Sequence, residues 1–272
     1  MNERFDAPPL VEIIAELRWD IGSPRLPNGM AVPIPILPQA AQTYEASFTR
    51  FAQALGELGF HNSERIVPPG FPWMVNEPVM RYRFSGEVTE ANKLKASSLF
   101  QVGAGIFTAN AVPPYSSWEE FGPIVKQGIE ALLDHGMPHG KIREVSPTLR
   151  YIDAFRSNLT NGETLHQFAS RVMGIHVELP DALKGVGPTQ IPVIQVVKPL
   201  EFGSLLVQIA DGMSQNDKAL IVEMVVQFSS NVPAESEAIF EALSKARNEI
   251  HTVFVSITKP IHEAMQQKGV QA

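Results

Sequence analysis

Gly136-Met137-Pro138-His139-Gly140 stands at the midpoint of the 272-residue chain and decides how the rest is read. Two glycines and a proline within five residues stop any helix or strand running through them. The segment therefore reads as a joint between halves of 1–138 and 139–272. Working outward, each half repeats one order of patterns: an alternating strand, a helix, further strands and a closing helix. Runs of strands without alternating crossover helices argue against a doubly wound α/β fold. The expectation is an α+β protein of two similar βαβββα-like halves, with mainly antiparallel sheets and helices packed on one face. A single continuous sheet is the alternative.

In the first half, Val11, Ile13, Ala15, Leu17 and Trp19 alternate with Glu12, Ile14, Glu16 and Arg18, the period-2 pattern of a strand with one buried face. Tyr44, Phe48, Phe51, Leu55 and Leu58 follow at spacings of four and three, which puts them on one stripe of a helix ending near Gly59. Met80, Tyr82 and Phe84 alternate with Arg81 and Arg83, and Phe100, Val102, Ala104 and Ile106 read as one further strand. Gly103 and Gly105 within that strand point to a bulge or to close approach of another backbone. Ser117 and Glu120 have capping-box spacing for a helix burying Trp118, Phe121, Val125, Ile129, Leu132 and Leu133.

In the second half, Leu149, Tyr151 and Phe155 alternate with Arg150, Ile152 and Arg156. A turn at Thr160-Asn161-Gly162 leads to a short helix near 163–172. Apolar runs at 191–197, 205–210 and 220–228 read as strands, the last two joined by a polar loop at 211–218. Ile239, Leu243, Ala246, Ile250, Phe254 and Ile257 describe a long C-terminal helix, with a break and restart at Thr258 and Pro260.

Several function classes drop out. The chain has no cysteine, which removes disulfides, cysteine-ligated zinc, iron–sulfur clusters and a thiolate nucleophile. No phosphate-cradling glycine loop, dinucleotide fingerprint, Gly-x-Ser-x-Gly elbow or His-Glu-x-x-His pair is present, so no cofactor is called for. His135 and His139 have the spacing of a helical metal pair, but Gly136-Met137-Pro138 breaks the helix that would align them, and no metal is expected. A net charge of −7 without a basic cluster disfavours nucleic acid. No apolar run approaches the ~18 residues of a membrane span, and residues 1–9 carry no secretory pattern, so a cytoplasmic protein is expected.

Residues 20–39 contain Pro24, Pro27, Pro33, Pro35 and Pro38. They cannot form an interior strand. Val32-Pro33-Ile34-Pro35-Ile36-Leu37 is apolar enough to pack on its own domain or to reach a second subunit as an arm.

Pro8-Pro9-Leu10-Val11-Glu12, the blocks Phe100-Gln101-Val102-Gly103-Ala104-Gly105 and Asn110-Ala111-Val112-Pro113-Pro114-Tyr115-Ser116-Ser117-Trp118-Glu119-Glu120-Phe121, and Leu149-Arg150-Tyr151-Ile152 together carry a resemblance. The chain resembles a sporadically distributed bacterial family of uncharacterised proteins of about this length. The resemblance implies no reaction, substrate or site residues. Its central block has a structural reading in which Pro113-Pro114 and a capped helix fix a strand-to-helix corner packed by Tyr115 and Trp118. The other reading is a pocket framed by Tyr115, Trp118 and Asn110.

Strand parity supplies the polar candidates. Arg81, Arg83 and Arg150 oppose the apolar faces of their strands and would share an open sheet face with Glu12, Glu16, Gln208 and Glu223, suited to an anionic or extended ligand. Asp153 is the exception, because parity puts its carboxyl on the Tyr151 side, where burial would demand a partner; it reads either as a functional acid or as a residue near the strand's end where the face opens to water. Two function classes follow. The first is a non-enzymatic binding or interaction protein that holds a protein partner, or a second copy of itself, on the open face or the proline-rich arm. The second is a small-molecule binder or enzyme with a pocket between the C-terminal helix and the sheet, using Arg150, Tyr151, Asp153 and Glu223, provided those four converge.

Overall fold

The computed structural model describes residues 5, 7–22, 35–36, 38–115, 117–137, 142–183 and 193–266. The first half comprises β1 (Leu10–Arg18), α1 (Pro38–Glu57), β2 (Asn62–Arg65), β3 (Met80–Arg83), α2 (Lys93–Ala96), β4 (Ser98–Gly103), β5 (Ile106–Ala111) and α3 (Trp118–Ala131). The second comprises β6 (Glu144–Phe155), α4 (Ser157–Thr160), α5 (Leu165–Met173), β7 (Ile194–Leu200), β8 (Gly203–Ser214), β9 (Asp217–Phe228), β10 (Val232–Pro233), α6 (Ser236–Thr258) and α7 (His262–Gln266).

The fold is α+β. All strand pairs are antiparallel, and the strands of both halves join in one ten-stranded sheet, ordered β2-β3-β4-β5-β1-β6-β9-β8-β7 with β10 beside β6. The single sheet weighed as an alternative is the one observed, and its seam is the β1–β6 pair, where Ile13 faces Tyr151 and Ala15 faces Leu149. These strands meet because each buries one alternating apolar set, and in this register the two sets lie in common rows.

The helices cover the face those rows share. Phe51 of α1 meets the Tyr82 ring edge-on at 5.4 Å, α3 presses Gly128 against Phe100, and Phe168 of α5 packs on Phe155 at 5.4 Å. The buried apolar side chains form one connected core through both halves, from Ile13 and Phe107 to Val222 and Leu243.

Local details depart from the pattern reading. Phe100 to Ile106 is not one strand, because the chain reverses at Ala104-Gly105, with Gly105 at φ +87°, and Gly103 pairs with Ile106. The anticipated polar loop at 211–218 is strand almost throughout; only Gln215 and Asn216 turn, at φ +52° and +65°, the left-handed pair of a tight hairpin. Ser117 is the N-cap of α3, but through its carbonyl, which accepts from the Glu120 and Phe121 amides; there is no side-chain capping bond. The reciprocal box sits instead on α5, between Thr164 and Gln167. β2 went unread because Asn62-Ser63-Glu64-Arg65 is exposed throughout and has no apolar alternation. Of the proline-rich stretch, 23–34 and 37 lie outside the described residues, as does His139; Pro35 bridges Met74.

Candidate functional site

Tyr151 and Asp153 both stand on the helix-covered face of β6, since strand residues two apart share a face. Above them crosses α6, whose Arg247, Ile250, His251 and Phe254 recur at helical spacing and form its underside here. The amino-terminal segment closes one end. Ala154 donates its amide to Pro9 carbonyl at 2.7 Å, Ala7 donates to Met265 carbonyl at 2.8 Å, and Phe5 meets Phe254 and His262 edge-on at 6.0 and 4.9 Å. Between Leu10 and Glu12 the β1 register shifts at a bulge, which brings Leu10 opposite Asp153. Tyr115 and Ser117, from the corner before α3, supply the remaining wall. These elements line a half-open cavity of about 80 Å³.

The polar content of this cavity is unusual for a core. Asp153 is 2% exposed, and its Oδ2 has no hydrogen-bond partner among the described residues. Burial in an apolar setting disfavours the charged form and pushes the carboxyl up to about 8, so it is mostly protonated at neutral pH. The Tyr115 and Tyr151 hydroxyls lie 3.3 Å apart. Burial raises Tyr151 to about 12, partly offset by its bond to Tyr115 and by the Arg247 charge, and burial followed by the neighbouring Tyr151 raises Tyr115 as well. The Arg247 side chain is 11% exposed and reaches Glu119 at 3.7 Å. The chamber thus combines one protonated acid, two neutral phenols and a guanidinium that already has a counter-ion.

Comparison with protein-family models, curated proteins and solved structures returned no match. The site is accordingly read from its own chemistry. Among the described residues no group of three His, Cys, Asp or Glu side chains is placed to hold a metal ion, and no helix is long and apolar enough to cross a membrane.

The sequence candidates divide between the two faces of the sheet. Tyr151 and Asp153 line the cavity, whereas Arg150 and Glu223 lie on the far face, paired at 3.1 Å with side chains 43% and 26% exposed. The four do not converge, because alternation along β6 sends Arg150 away from its neighbour Tyr151. Arg81 and Arg83 sit on β3, four strands from β6. Arg81 pairs with Glu64 at 3.2 Å, and its Nε and Nη2 lie 3.1 and 3.2 Å from the Gln101 amide; Arg83 is exposed. Glu12, Asn110 and Thr108 form a hydrogen-bonded run on the same open face, with Asn110 donating to Glu12 at 2.8 Å. Asn110 is therefore remote from Tyr115, while Trp118 stacks on Phe240 at 5.9 Å and donates to Ser244 at 3.2 Å.

The Arg150–Glu223 pair is half in water, and exposed ion pairs of this kind contribute little. A double-mutant cycle with Arg150→Ala and Glu223→Ala is expected to give a coupling below about 1 kcal/mol in denaturant unfolding. A coupling several times larger would mean that the open face is covered in solution.

The cavity residues that sequence reading missed are chiefly Arg247, His251 and Phe5. Arg247 and His251 are i, i+4 on α6 and flank its apolar stripe, a signal that the spacing carries but that most amphipathic helices share. Phe5 had no periodic context at all.

Proposed function

We propose that this chain is a small-molecule-binding protein whose ligand occupies the cavity between α6 and the β1–β6 seam. The observation that carries the reading is Asp153. Among the described residues its Oδ2 has no hydrogen-bond partner, and an unsatisfied oxygen on a buried carboxyl is costly to keep for packing alone. Ligand sites, in contrast, are largely apolar chambers with a few convergent polar groups of shifted pKa. A native mass spectrum of the full chain, purified gently from its own host, is expected to show a stoichiometric small adduct. Ile250→Phe, which fills the cavity from α6, is expected to lose that adduct while keeping the circular dichroism of the parent. A bare mass for the parent, or equal adduct on both proteins, overturns the reading.

A second reading, attachment of a protein partner or a second copy, is favoured by a different observation. The face opposite the helices presents Arg81, Gln101, Thr108, Glu16, Thr148, Gln227 and Ser204 along one register row. The same spectrum tests it through the subunit number. We further read the halves as an internal duplication. The support is the strand order, in which β1-β5-β4-β3 running one way from the seam is answered by β6-β9-β8-β7 running the other.

A further inference from the structure

We infer that the ligand seated at Asp153 is a small organic cation, a primary ammonium on a short aliphatic chain. This rests on the pocket reading and names its ligand class. A buried carboxyl has two ways to avoid an uncompensated charge, which are to keep its proton or to acquire a cation. With Oδ2 unpartnered among the described residues, Asp153 takes the first. An ammonium group brings three donors and a positive charge, and the acceptors in the lining include Asp153 Oδ2 and the Tyr115 and Tyr151 oxygens, beside the side chains of Ser117 and His251. Phe5, Phe254, Tyr115 and Tyr151 put four aromatic rings in the wall, and ring faces attract cations in a desolvated site. Pro8, Leu10 and Ile250 offer apolar surface for a short chain, and the cavity of about 80 Å³ limits its length.

Other ligand classes fit less well. An anion would have to compete with Glu119 for Arg247 and would sit beside a group that repels it once ionised. A neutral alcohol can accept a hydrogen bond from the protonated Asp153, but it gains nothing from the carboxylate charge or from the cation-attracting ring faces. A metal ion would find a single carboxylate and two neutral phenols, too few anionic oxygens.

The proton balance follows. At neutral pH the free protein carries Asp153 as COOH; the ammonium arrives charged, Asp153 ionises, the N–H donors bond to the carboxylate, and one proton leaves to the buffer. Among the described residues, the other charged or titratable groups around Asp153 are Tyr151 on its own strand, Tyr115 from the corner before α3, Arg247 and His251 from α6, and Glu119 beyond Arg247. The tyrosines are held neutral across the range concerned, Arg247 is a fixed charge, and a His251 contribution would survive replacement of Asp153.

The experiment is titration calorimetry of the full chain with n-butylammonium, n-butanol and butyrate, at pH 7 in two buffers of different ionisation enthalpy. Butylammonium is expected to bind with release of close to one proton, to gain affinity up to about tenfold per pH unit between pH 6 and 8, and to lose about tenfold or more in Asp153→Asn. Should that variant fail to fold, His251→Gln decides: proton release and a pH slope that persist in it belong to Asp153, and their loss overturns the assignment. Equal or tighter binding of butanol or butyrate in an Ile250→Phe-sensitive manner overturns the cation and keeps the pocket. Absence of binding by all three overturns both.

Discussion

Asp153→Asn is expected to melt well above the parent at pH 8 and at nearly the same temperature at pH 4. In the folded chain the carboxyl titrates near 8 because burial penalises its ionised form, while an unfolded aspartate titrates near 3.9. Between those values the native state holds a proton that the unfolded state has released, so each rise in pH favours unfolding. The stability Asp153 allows is fully present below about pH 4 and is lost as pH climbs through about 8. Across that window the loss is on the order of 5 kcal/mol, since each pH unit is worth about 1.4 kcal/mol. An amide of the same shape cannot ionise and escapes the penalty. For a chain of this size the difference in melting temperature at pH 8 is expected to be on the order of 10 °C. Groups shared by both proteins cancel in the difference, including the exposed Glu90, Asp217 and Glu237, whose pKa values their hydrogen bonds lower. A difference that stays flat from pH 4 to 8 would mean that the carboxyl is solvated. A variant less stable than the parent at pH 8 would mean that Asp153 is ionised and partnered in the fold.

The same residue marks how far sequence alone reaches. Parity along β6 is rigid, so a lone Asp between Ile152 and Ala154 was legible on the Tyr151 side, where it lies. Parity left open whether the face opens to water at the strand's end, and the 2% exposure of Asp153 decides for burial; what covers it was not legible, because Arg247 and His251 come from nearly a hundred residues away, and the tilt of α6 over the sheet is set by packing. Among the fold elements, β1, α1, β6 and α6 were readable since each carries a long apolar period. The β4–β5 hairpin was misread for a definite reason. Ile106 continues the apolar alternation of Phe100, Val102 and Ala104 in the sequence, but the two-residue turn flips the parity, so that Ile106 lies opposite Gly103 and it is Phe107 that shares the buried face with Val102. β2 was unreadable because an exposed edge strand is held by main-chain bonds to β3, which leave no trace in side-chain hydropathy. The β1–β6 seam lay beyond periodicity as well, for register between halves is decided by which buried rows fit together.

Gly103→Ala is expected to cost about 3 kcal/mol or more, enough to lower the melting temperature by roughly 5 °C or more. An added Cβ at this position would stand 1.9 Å from the Glu77 carbonyl oxygen and 2.9 Å from its carbon, and backbone cannot rotate aside as a side-chain tip can. The approach is enforced from both sides. Val79 donates its amide to Val102 carbonyl at 2.8 Å, and Asn76 donates to Ala104 carbonyl at 2.8 Å, so the 76–79 segment is tied along the end of β4 on either side of Gly103. Relief would require breaking these bonds in a part of the molecule where Val79 and Val102 are fully buried. Gly70→Ala is the matched control. Gly70 has φ +86° with nothing within 4 Å of an added Cβ, so its substitution carries only left-handed backbone strain, about 1–2 kcal/mol. Thermal unfolding of the two variants side by side separates a steric need for glycine from a conformational one. Gly103→Ala should be the worse by a clear margin; a loss no larger than that of Gly70→Ala would mean that the 76–79 segment does not lie against β4. The outcome bears on the site as well, since β4 pairs with β5, β5 with β1, and β1 supplies Leu10 opposite Asp153. Loosening the hairpin is therefore expected to weaken whatever the cavity holds, and a ligand that binds the intact cavity should recover part of the lost melting temperature.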